Sequence, residues 1–494
     1  MNKKAILITL IGLVLSLTSS AKPTTKNLRS TEKPNFIIIN IDDLGYGDTE
    51  PFGSTLNHTP NLSRMADEGV MFTSFYADPV CSPSRSSLMT GCYSKRVLPL
   101  EKFYVLFPAD SVGLSPDEIT IAELLKEQGY STGMVGKWHL GDQDGFLPTD
   151  QGFDYYFGIP YSNDMGPVED GARSSLGNPL GKNPRVLFKD FIWGDGYPPL
   201  PFIENKTFIK RILPEDQQSV VSLYTKKAIN FIQNNYQQPF FLYLAHTAVH
   251  WPYYPGKEFR GHSSNGVYGD WVEEMDWSVG KILEIVKELG IDKNTLIIFT
   301  SDNGANGPGS NLPLRGEKNS IWEGGVRVPF IARWPEKIIP ETRCDAVTGM
   351  IDILPTFVKL AGGEAPKDRK IDGKDIWPLL SGEICPSPHD VFYYYLTLKL
   401  EAVRMGNWKL HLRTGNLYNL ESDISERNNV ADKNEEIVRE IEALANEMDS
   451  DLGKGGPSRY EGVGPGCRAL GKVTNPKPII DKDGKIRSDF SELE

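Results

Sequence analysis

Phe36-Ile37-Ile38-Ile39-Asn40-Ile41 is an apolar run that ends directly on two carboxylates, Asp42-Asp43. A short, β-branched run of this kind is typical of a strand that is buried on both faces of a sheet. Similar runs recur along the chain, and helical patterns alternate with them. The further strand candidates are Thr132–Val135, Phe240–Leu244 and Leu296–Thr300, and the helical stretches include Ile119–Gln128, Val220–Asn234 and Trp271–Leu289. This alternation predicts an α/β fold with a mostly parallel central sheet flanked by helices.

Polar and ionisable side chains follow each of the four strands. In chain order the four ends carry Asp42-Asp43, Lys137 with His139, His246 with His250, and Asp302-Asn303. In open α/β sheets the ligand crevice lies outside the carboxyl ends of the strands. A single strand-end aspartate could simply cap the next helix, but four such ends together predict one shared functional site.

Some of these side chains offer hard oxygen atoms, namely Asp42, Asp43, Asp302 and Asn303. Oxygen ligands suit calcium or magnesium, and calcium is favoured because it accepts irregular, carboxylate-rich shells. Zinc is the alternative, since it would use the histidines. His246 and His250 have the i, i+4 spacing of a helical zinc site, but the strand before them and Pro252 after them favour a loop.

A second informative stretch is Cys81-Ser82-Pro83-Ser84-Arg85-Ser86-Ser87-Leu88-Met89-Thr90-Gly91. Pro83 suits the first position of a helix with Ser82 as its cap, which would leave Cys81 at a helix N-terminus, where an anion is favoured. Arg85 lies four residues after Cys81, so both side chains could face the same side of that helix. The alternative is a buried structural cysteine beside an ordinary cap.

Taken together, these segments resemble the type I sulfatases of the alkaline phosphatase-like superfamily, with arylsulfatase A-like features. The resemblance runs from about Asn35 to Asn429. The stretches that carry it are Ile41–Asp48, Cys81–Gly91, Gly129–His139, Thr300–Gly304, Leu314–Lys318, Trp322–Pro329, Leu417–Leu420 and Glu426–Asn429. Cys81–Gly91 and Gly129–His139 are similar to the two signatures of the family.

The resemblance implies a set of functional residues. One calcium ion would be held by Asp42, Asp43, Asp302, Asn303 and the modified Cys81, which the family oxidises to formylglycine (3-oxoalanine). The residues around the sulfate would be Cys81, Arg85, Lys137, His139, His250 and Lys318, with Ser162 on the substrate side. Asn163 departs from the histidine that often follows this serine, which puts nearby subsite contacts in doubt. A formylglycine-generating enzyme or an anaerobic sulfatase-maturating enzyme would then be a partner.

Composition and the N-terminus indicate where such a protein works. Of the 494 residues, 65 are acidic and 53 are Lys or Arg, and a net charge of −12 argues against a nucleic-acid partner. Residues 1–21 are predicted to be a cleavable signal peptide, with Lys3 and Lys4 before the 13-residue apolar stretch Ala5–Leu17. The short signal indicates a bacterial, periplasmic or secreted protein without a stable membrane anchor, and a retained anchor is the alternative. Five scattered cysteines allow at most two disulfides, with Cys81 left over.

Two domains are predicted after the signal peptide, a catalytic domain over residues 34–382 and a smaller α+β subdomain with a tail over residues 383–494. The smaller one would contain an antiparallel sheet of the strands Val391–Leu396, Glu401–Met405, Trp408–Arg413 and Leu417–Leu420. Ile437, Ile441, Leu444, Ala445 and Met448 form one apolar helical face that would pack on this sheet. Residues 453–478 could close over the substrate or form a simple tail.

The predicted function is hydrolysis of sulfate monoesters, most of all on a sulfated carbohydrate such as an algal polysaccharide or a glycosaminoglycan. The aromatic loops Trp193–Tyr197 and His250–Tyr254 could stack on sugar rings or could simply be packed surface. Two alternatives stay open at this point. One is a phosphohydrolase of the same superfamily, which would need a Ser or Thr nucleophile and usually two metals. The other is a non-catalytic protein that binds sulfated glycans.

Overall fold

One large mixed sheet organises the chain. The computed structural model describes residues 33–100, 105–172, 174–176, 178–179, 197–455 and 462–493. The strands are β1 (Asn35–Ile41), β2 (Val70–Tyr76), β3 (Val112–Gly113), β4 (Ser131–Lys137), β5 (Tyr155–Ile159), β6 (Ser174–Ser175), β7 (Asn178–Pro179), β8 (Pro201–Glu204), β9 (Thr207–Arg211), β10 (Phe240–Ala245), β11 (Thr295–Ser301), β12 (Arg327–Arg333), β13 (Thr342–Cys344), β14 (Thr348–Gly349), β15 (Val391–Leu396), β16 (Lys399–Met405), β17 (Trp408–His411), β18 (Asn416–Asn419), β19 (Gly471–Lys472) and β20 (Ser491–Glu492). The large sheet has the order β13-β2-β12-β11-β1-β10-β4-β5-β8-β9-β20, and β14 also pairs with β2.

The middle of this sheet is parallel, and it contains all four strands expected from the sequence. β11, β1, β10, β4 and β5 pair in parallel, while β12 and β8 flank them in antiparallel orientation. The prediction of a mostly parallel central sheet is therefore confirmed. The sequence reading missed β2, β5 and β12. In β12 the reason is Pro329, which lies where the pairing with β2 shifts register; proline lacks the N–H that a regular ladder needs.

Helices cover both faces of the sheet. They are α1 (Pro60–Asp67), α2 (Cys81–Thr90), α3 (Ser94–Val97), α4 (Ile121–Glu127), α5 (Pro214–Gln217), α6 (Val220–Asn235), α7 (Gly266–Glu288), α8 (Glu323–Val326), α9 (Ile353–Leu360), α10 (Trp377–Leu380) and α11 (Glu435–Leu452). Phe36 and Ile38 of β1 belong to the core that α2, α4 and α9 cover, whereas Ile37, Ile39 and Ile41 belong to the core under α1, α6 and α7. Because alternate residues face opposite sides, a continuous apolar run is what a doubly covered strand requires.

A separate four-stranded antiparallel sheet follows, in the order β15-β16-β17-β18. It matches the expected second sheet closely, and α11 packs on it through Ile441 and Ala445. After α11, β19 forms a separate two-stranded sheet with β3, and β20 then joins the large sheet beside β9. The domain boundary at residue 382 stays a prediction.

Several sequence predictions concern residues outside the described ranges. The signal peptide at 1–21 lies there, as do residues 193–196 of one aromatic loop and residues 456–461 of the segment 453–478. Within the described ranges, no helix combines the length and the apolarity that a membrane span needs. All five cysteines are described, and each is a free thiol.

Candidate active site

The register of the central strands brings the predicted residues to one edge of the sheet. Ile41 pairs with Ser301 across β1 and β11, so Asp42 and Asp302 leave the sheet side by side. Asn40 pairs with Ala245, which in turn pairs with Gly136 of β4. Lys137 follows Gly136 directly, so it leaves the sheet at the same edge as Asp42, two strands away from β1.

The backbone turns sharply where these strands end. Asp43 and His139 have φ angles of 61° and 65°, in the left-handed region that side chains other than glycine seldom adopt. Gly136 has a φ of 117°, and a Cβ there would lie 1.8 Å from the carbonyl oxygen of Ala245. Only glycine allows β4 to approach β10 this closely, which is why Gly136 precedes Lys137. Backbone strain of this kind is typical of functional sites, where the position of a side chain matters more than its local stability.

Cys81 is the first residue of α2 and is fully buried beside the acidic strand ends. Its Sγ lies 3.4 Å from Asp42 Oδ1 and 3.4 Å from Lys318 Nζ. Burial raises the pKa of this thiol, despite the nearby Lys137 and Lys318. The unmodified thiol is thus held neutral, and a neutral thiol is a poor nucleophile.

The prediction that Ser82 caps this helix is wrong. α2 begins two residues earlier than predicted, after Val80, and Val80 makes no side-chain capping hydrogen bond. Ser82 is buried and accepts a hydrogen bond from the backbone N–H of Leu106. Pro83 still fits inside the first turn, because an N–H there would have no intrahelical partner. Cys81 consequently lies at the helix N-terminus, as expected.

Three cations pair one to one with three buried carboxylates. Arg85 donates to Asp302 Oδ2 through Nε at 3.0 Å and Nη2 at 2.7 Å. The other pairs, both at 2.6 Å, are Lys137 Nζ with Asp42 Oδ2 and Lys318 Nζ with Asp43 Oδ1. These contacts account for the arrangement of the predicted acidic and basic residues.

Pairing favours the charged forms in the two lysine–carboxylate pairs, Asp42 with Lys137 and Asp43 with Lys318. Burial alone favours the neutral carboxyl of Asp42, but the Lys137 ammonium outweighs it and lowers the pKa of Asp42. Lys318 lowers the pKa of Asp43 in the same way. Burial opposes the charges on Lys137 and Lys318, yet Asp42 and Asp43 raise the pKa of their respective lysine partners. By formal charge, the three carboxylates and three cations of this cluster balance one another.

Ser162 and His250 complete the expected set. Ser162 Oγ lies 3.4 Å from Lys137 Nζ and is buried. His250 Nε2 lies 3.7 Å from Asp43 Oδ2, while its Nδ1 contacts the carbonyl oxygen of Trp251. Of the predicted site residues, His250 and Lys318 keep the most exposed side chains, at 13% and 9%. The accessible side of the site therefore lies where these two meet.

His139 has a defined hydrogen-bonding arrangement. Its Nε2 lies 2.9 Å from the carbonyl oxygen of Leu106, and its buried Nδ1 has no partner within the described residues. A carbonyl oxygen can only accept, so Nε2 carries the hydrogen and Nδ1 keeps a lone pair. Burial, together with Lys137 and Arg85, lowers the pKa of His139 well below its usual range. The ring is consequently neutral, and its Nδ1 lone pair has no hydrogen-bond donor within the described residues.

The cluster fits a hard divalent cation. Ligand atoms from Asp42, Asp43, Cys81 and Asp302 all lie within 4.8 Å of one another. Asn303 Oδ1 is buried near them without a hydrogen-bond partner, whereas its Nδ2 donates to Asp43 Oδ1 at 2.7 Å. A buried amide oxygen without a partner beside carboxylates is suited to serve as a metal ligand. A divalent ion would leave this balanced cluster with an excess of two positive charges.

Other sequence candidates lie away from this cluster. His246 is buried, and its Nε2 lies 3.0 Å from Ser278 Oγ on α7. Residues 246–250 form a loop after β10, so the i, i+4 spacing of His246 and His250 is not that of a helical zinc site. Tyr254 is fully buried and donates to the carbonyl oxygen of Gly171, so it is packed rather than available to a sugar ring. Asn163 is also buried, and its amide donates to the carbonyl oxygen of Pro252, which ties the Ser162 loop to the His250 loop.

Two supporting residues were missed by the sequence reading. Ser301 Oγ accepts from the N–H of Leu44 at 3.0 Å and donates to the carbonyl oxygen of Asn303 at 2.9 Å, so it joins the two acidic loops. Asp48 accepts hydrogen bonds from Tyr268 and from the N–H of Ser310. Both lie inside the recognised stretches, but no sequence signal distinguishes a buried positioning residue from a surface one.

Known proteins share this fold and these stretches. A family model described as Sulfatase matches residues 34–363, and one described as N-sulphoglucosamine sulphohydrolase, C-terminal, matches residues 316–452. The steryl-sulfatase of Homo sapiens is 38% identical over 432 residues, which cover 76% of this chain and 74% of that protein. The N-acetylgalactosamine-6-sulfatase of Mus musculus is 39% identical over 404 residues, covering 78% and 72%. The crystal structure of Ps i-CgsB in complex with k-i-k-neocarrahexaose has a TM-score of 0.72 at 30% identity, covering 84% and 93%.

Fold and similarity define an alkaline phosphatase-like enzyme that hydrolyses sulfuric esters. The chain belongs to the sulfatase family. Membership removes the two alternatives left open by the sequence, a phosphohydrolase and a non-catalytic glycan-binding protein.

Proposed function

We propose that this protein is a secreted or periplasmic sulfatase that removes sulfate from a carbohydrate, with formylglycine at position 81 and one calcium ion. The observation that carries the proposal is the one-to-one pairing of three cations with three carboxylates around the buried Cys81. Asp42, Asp43, Asp302 and Asn303 would hold the calcium ion, which would act as a Lewis acid toward sulfate, and formylglycine at position 81 would supply a hydroxyl nucleophile.

The basic residues bind and orient the sulfate group. A sulfate monoester is an anion, so it is bound only where positive charge outweighs negative. Lys318 Nζ lies 3.4 Å from Cys81 Sγ, and Lys137 also acts electrostatically on this thiol while its Nζ lies 3.4 Å from Ser162 Oγ. Arg85 stays fixed by its fork on Asp302 and by its bond to the carbonyl oxygen of Lys137. These groups are preorganised, so they stabilise charge on the sulfate oxygens at little reorganisation cost.

Two proton transfers accompany cleavage of the S–O bond. Lys318 and His250 lie at the accessible side, where the alcohol departs, and one of them donates the proton that the leaving oxygen needs. His139 Nδ1 is the acceptor for the proton released at position 81 when the sulfate departs. The hydrogen bond from Nε2 to the carbonyl oxygen of Leu106 holds the ring in the orientation that leaves Nδ1 as the acceptor.

A carbohydrate substrate is supported by two lines. The relatives and neighbours include proteins named for N-acetylgalactosamine and a structure in complex with a neocarrahexaose. One relative is named for a steryl substrate instead. The predicted signal peptide favours an extracytoplasmic polymer, such as an algal polysaccharide or a glycosaminoglycan. Maturation by a formylglycine-generating or anaerobic sulfatase-maturating enzyme belongs to the same proposal.

Substitution of Cys81 tests the mechanism. We expect Cys81→Ala to abolish hydrolysis of 4-nitrophenyl sulfate and to change the free energy of unfolding by only about 1 kcal/mol, because it removes one small buried group. Mass spectrometry of the peptide that contains position 81, from active enzyme, should show the aldehyde. Active enzyme with an unmodified thiol would contradict the proposal. A panel of sulfated oligosaccharides and steryl sulfate then identifies the substrate class.

A further inference from the structure

Lys318 is held in the site by an irregular segment rather than by a strand end. The segment runs from Pro313 to Trp322, directly before α8. Near its middle, Lys318 donates to Asp43, and its backbone N–H donates to the carbonyl oxygen of Ala305. The position of the amine therefore depends on what fixes the two ends of this segment.

The C-terminal end is fixed by a buried ionic network from the four-stranded sheet. Lys409 of β17 is fully buried, and its Nζ donates to the carbonyl oxygen of Ile321 at 2.7 Å and to Glu323 Oε1 at 2.8 Å. Glu426 Oε2 accepts the backbone N–H of Glu323 at 2.7 Å, and its Oε1 lies 2.6 Å from His411 Nε2. Glu323 and Glu426 are fully buried as well. Buried charges of this kind are stable only when paired, so the network resists displacement.

The N-terminal end is tied to the same region. Arg315 Nη1 donates to the carbonyl oxygen of Glu426 at 2.8 Å, and Ser425 Oγ donates to the carbonyl oxygen of Pro313 at 2.6 Å. The Arg315 guanidinium also lies 3.8 Å from the centre of the Trp322 ring. Residues at both ends of the segment thus bind one short stretch, 425–426, that follows the small sheet.

We propose that Arg315 and Glu426 are positioning residues for Lys318, because their contacts fix the two ends of the segment that carries it, with Lys409 as the buried partner of Glu426. The inference rests on the proposed role of Lys318 in the reaction. Within the described residues, the side chains of Lys409 and Glu426 contact the segment, α8 and the small sheet, but not Cys81 or the acidic strand ends. The small sheet would then be a working part of the catalytic machinery.

Substitutions at Arg315 and Glu426 test the inference with a double-mutant cycle. Arg315 is exposed, so Arg315→Ala removes one tie without endangering the fold, and Glu426→Gln keeps the volume of the buried side chain. Misplacing a reacting group by 1 Å can cost about 100-fold. We expect each variant to lower kcat for 4-nitrophenyl sulfate by about 10-fold or more with KM within about twofold. Arg315→Lys keeps a donor and should lose at most about threefold.

The decisive measurement repeats both substitutions in the Lys318→Ala background. Lys318→Ala alone should lower kcat by about 100- to 1,000-fold. If Arg315 and Glu426 act through Lys318, Arg315→Ala and Glu426→Gln should then change kcat by less than about twofold. Losses that multiply in full would overturn the inference and leave the proposed function intact. An undiminished kcat in Lys318→Ala itself would instead refute the proposed role of Lys318.

A matched control uses another buried ion pair. Arg96 Nη2 lies 2.7 Å from Asp372 Oδ1, with both side chains nearly inaccessible, and Arg96 also binds Asp451 of α11. Asp372→Asn should lower stability in the way that loss of a buried pair does, but should change kcat by the same small factor with or without Lys318. If Asp372→Asn also ceased to affect kcat in the Lys318→Ala background, the cycle would be reporting a general loss of stability, and the inference would be refuted.

Discussion

Replacing Lys137 by methionine should leave Asp42 as a buried carboxylate without its main partner. The side chains of Lys137 and Asp42 are both inaccessible, and their charged atoms lie 2.6 Å apart. Breaking a buried pair by removing one partner typically costs 3–5 kcal/mol. Arg85 Nη2 remains 3.9 Å from the other oxygen of Asp42, which favours the lower end, about 3 kcal/mol.

This cost should depend on pH in a defined direction. In the variant, burial without Lys137 raises the pKa of Asp42 above its value in the unfolded chain. The folded variant then binds the proton more tightly than the unfolded chain, so the cost is present at neutral pH and is relieved as the pH falls. The difference from the unsubstituted protein should shrink by up to about 1.4 kcal/mol per pH unit between pH 7 and pH 5.

Thermal or urea unfolding in EGTA measures this difference without a bound ion. Specific entropies of unfolding give roughly 1 kcal/mol per K for 494 residues, so about 3 kcal/mol lowers Tm by about 3 °C. Lys281→Met is the control, because Lys281 pairs with Glu284 at 2.7 Å on the surface and should contribute less than about 1 kcal/mol. A Tm difference for Lys137→Met that stays constant from pH 7 to pH 5 would refute the reasoning, since the loss would then come from packing.

Two further predictions concern the same end of the sheet. Burial raises the pKa of Asp48 from 3.8 to about 6, so the folded protein binds this proton more tightly than the unfolded chain and loses stability as the pH rises from about 4 to 6. Asp48→Asn cannot ionise, so its stability relative to the unsubstituted protein should increase by about 2–3 kcal/mol between pH 4 and pH 7. Parallel stability profiles of the two proteins over this pH range would contradict the prediction. Chelation of calcium should lower Tm, because a ligand at 100 times its Kd stabilises by about 2.7 kcal/mol. Asp302→Asn should reduce the calcium-dependent Tm shift, and an unchanged shift would place the ion elsewhere.

The strand ends were predictable because their signals are local. A continuous apolar run such as Phe36–Ile41 reports a doubly covered strand, and the polar residues that follow it must leave the sheet at its carboxyl edge. Gly136 is also a local feature of the sequence, because it comes at the end of β4, directly before Lys137. β12 escaped prediction because Pro329 breaks the pattern, and only the register shift against β2 accommodates it.

The pairing of charges could not be predicted. The sequence contains Asp42, Asp43 and Asp302 as candidate ligands and Arg85, Lys137 and Lys318 as candidate sulfate contacts, but nothing in it says which cation meets which carboxylate. Arg85 and Asp302 are 217 residues apart, and Lys318 and Asp43 are 275 apart. Such partners depend on strand order and register, which arise from packing over the whole sheet.

By itself, the sequence determined the α/β class, the residues at the strand ends and the resemblance to sulfatases, since these follow from local periodicity and from short motifs. Only the tertiary structure decided that α2 begins at Cys81, that His139 keeps a free Nδ1, and that the small sheet fixes the Lys318 segment. Each of these features depends on whether a buried polar atom has a hydrogen-bond partner from another part of the chain. Such partners come together only when the sheets and helices pack.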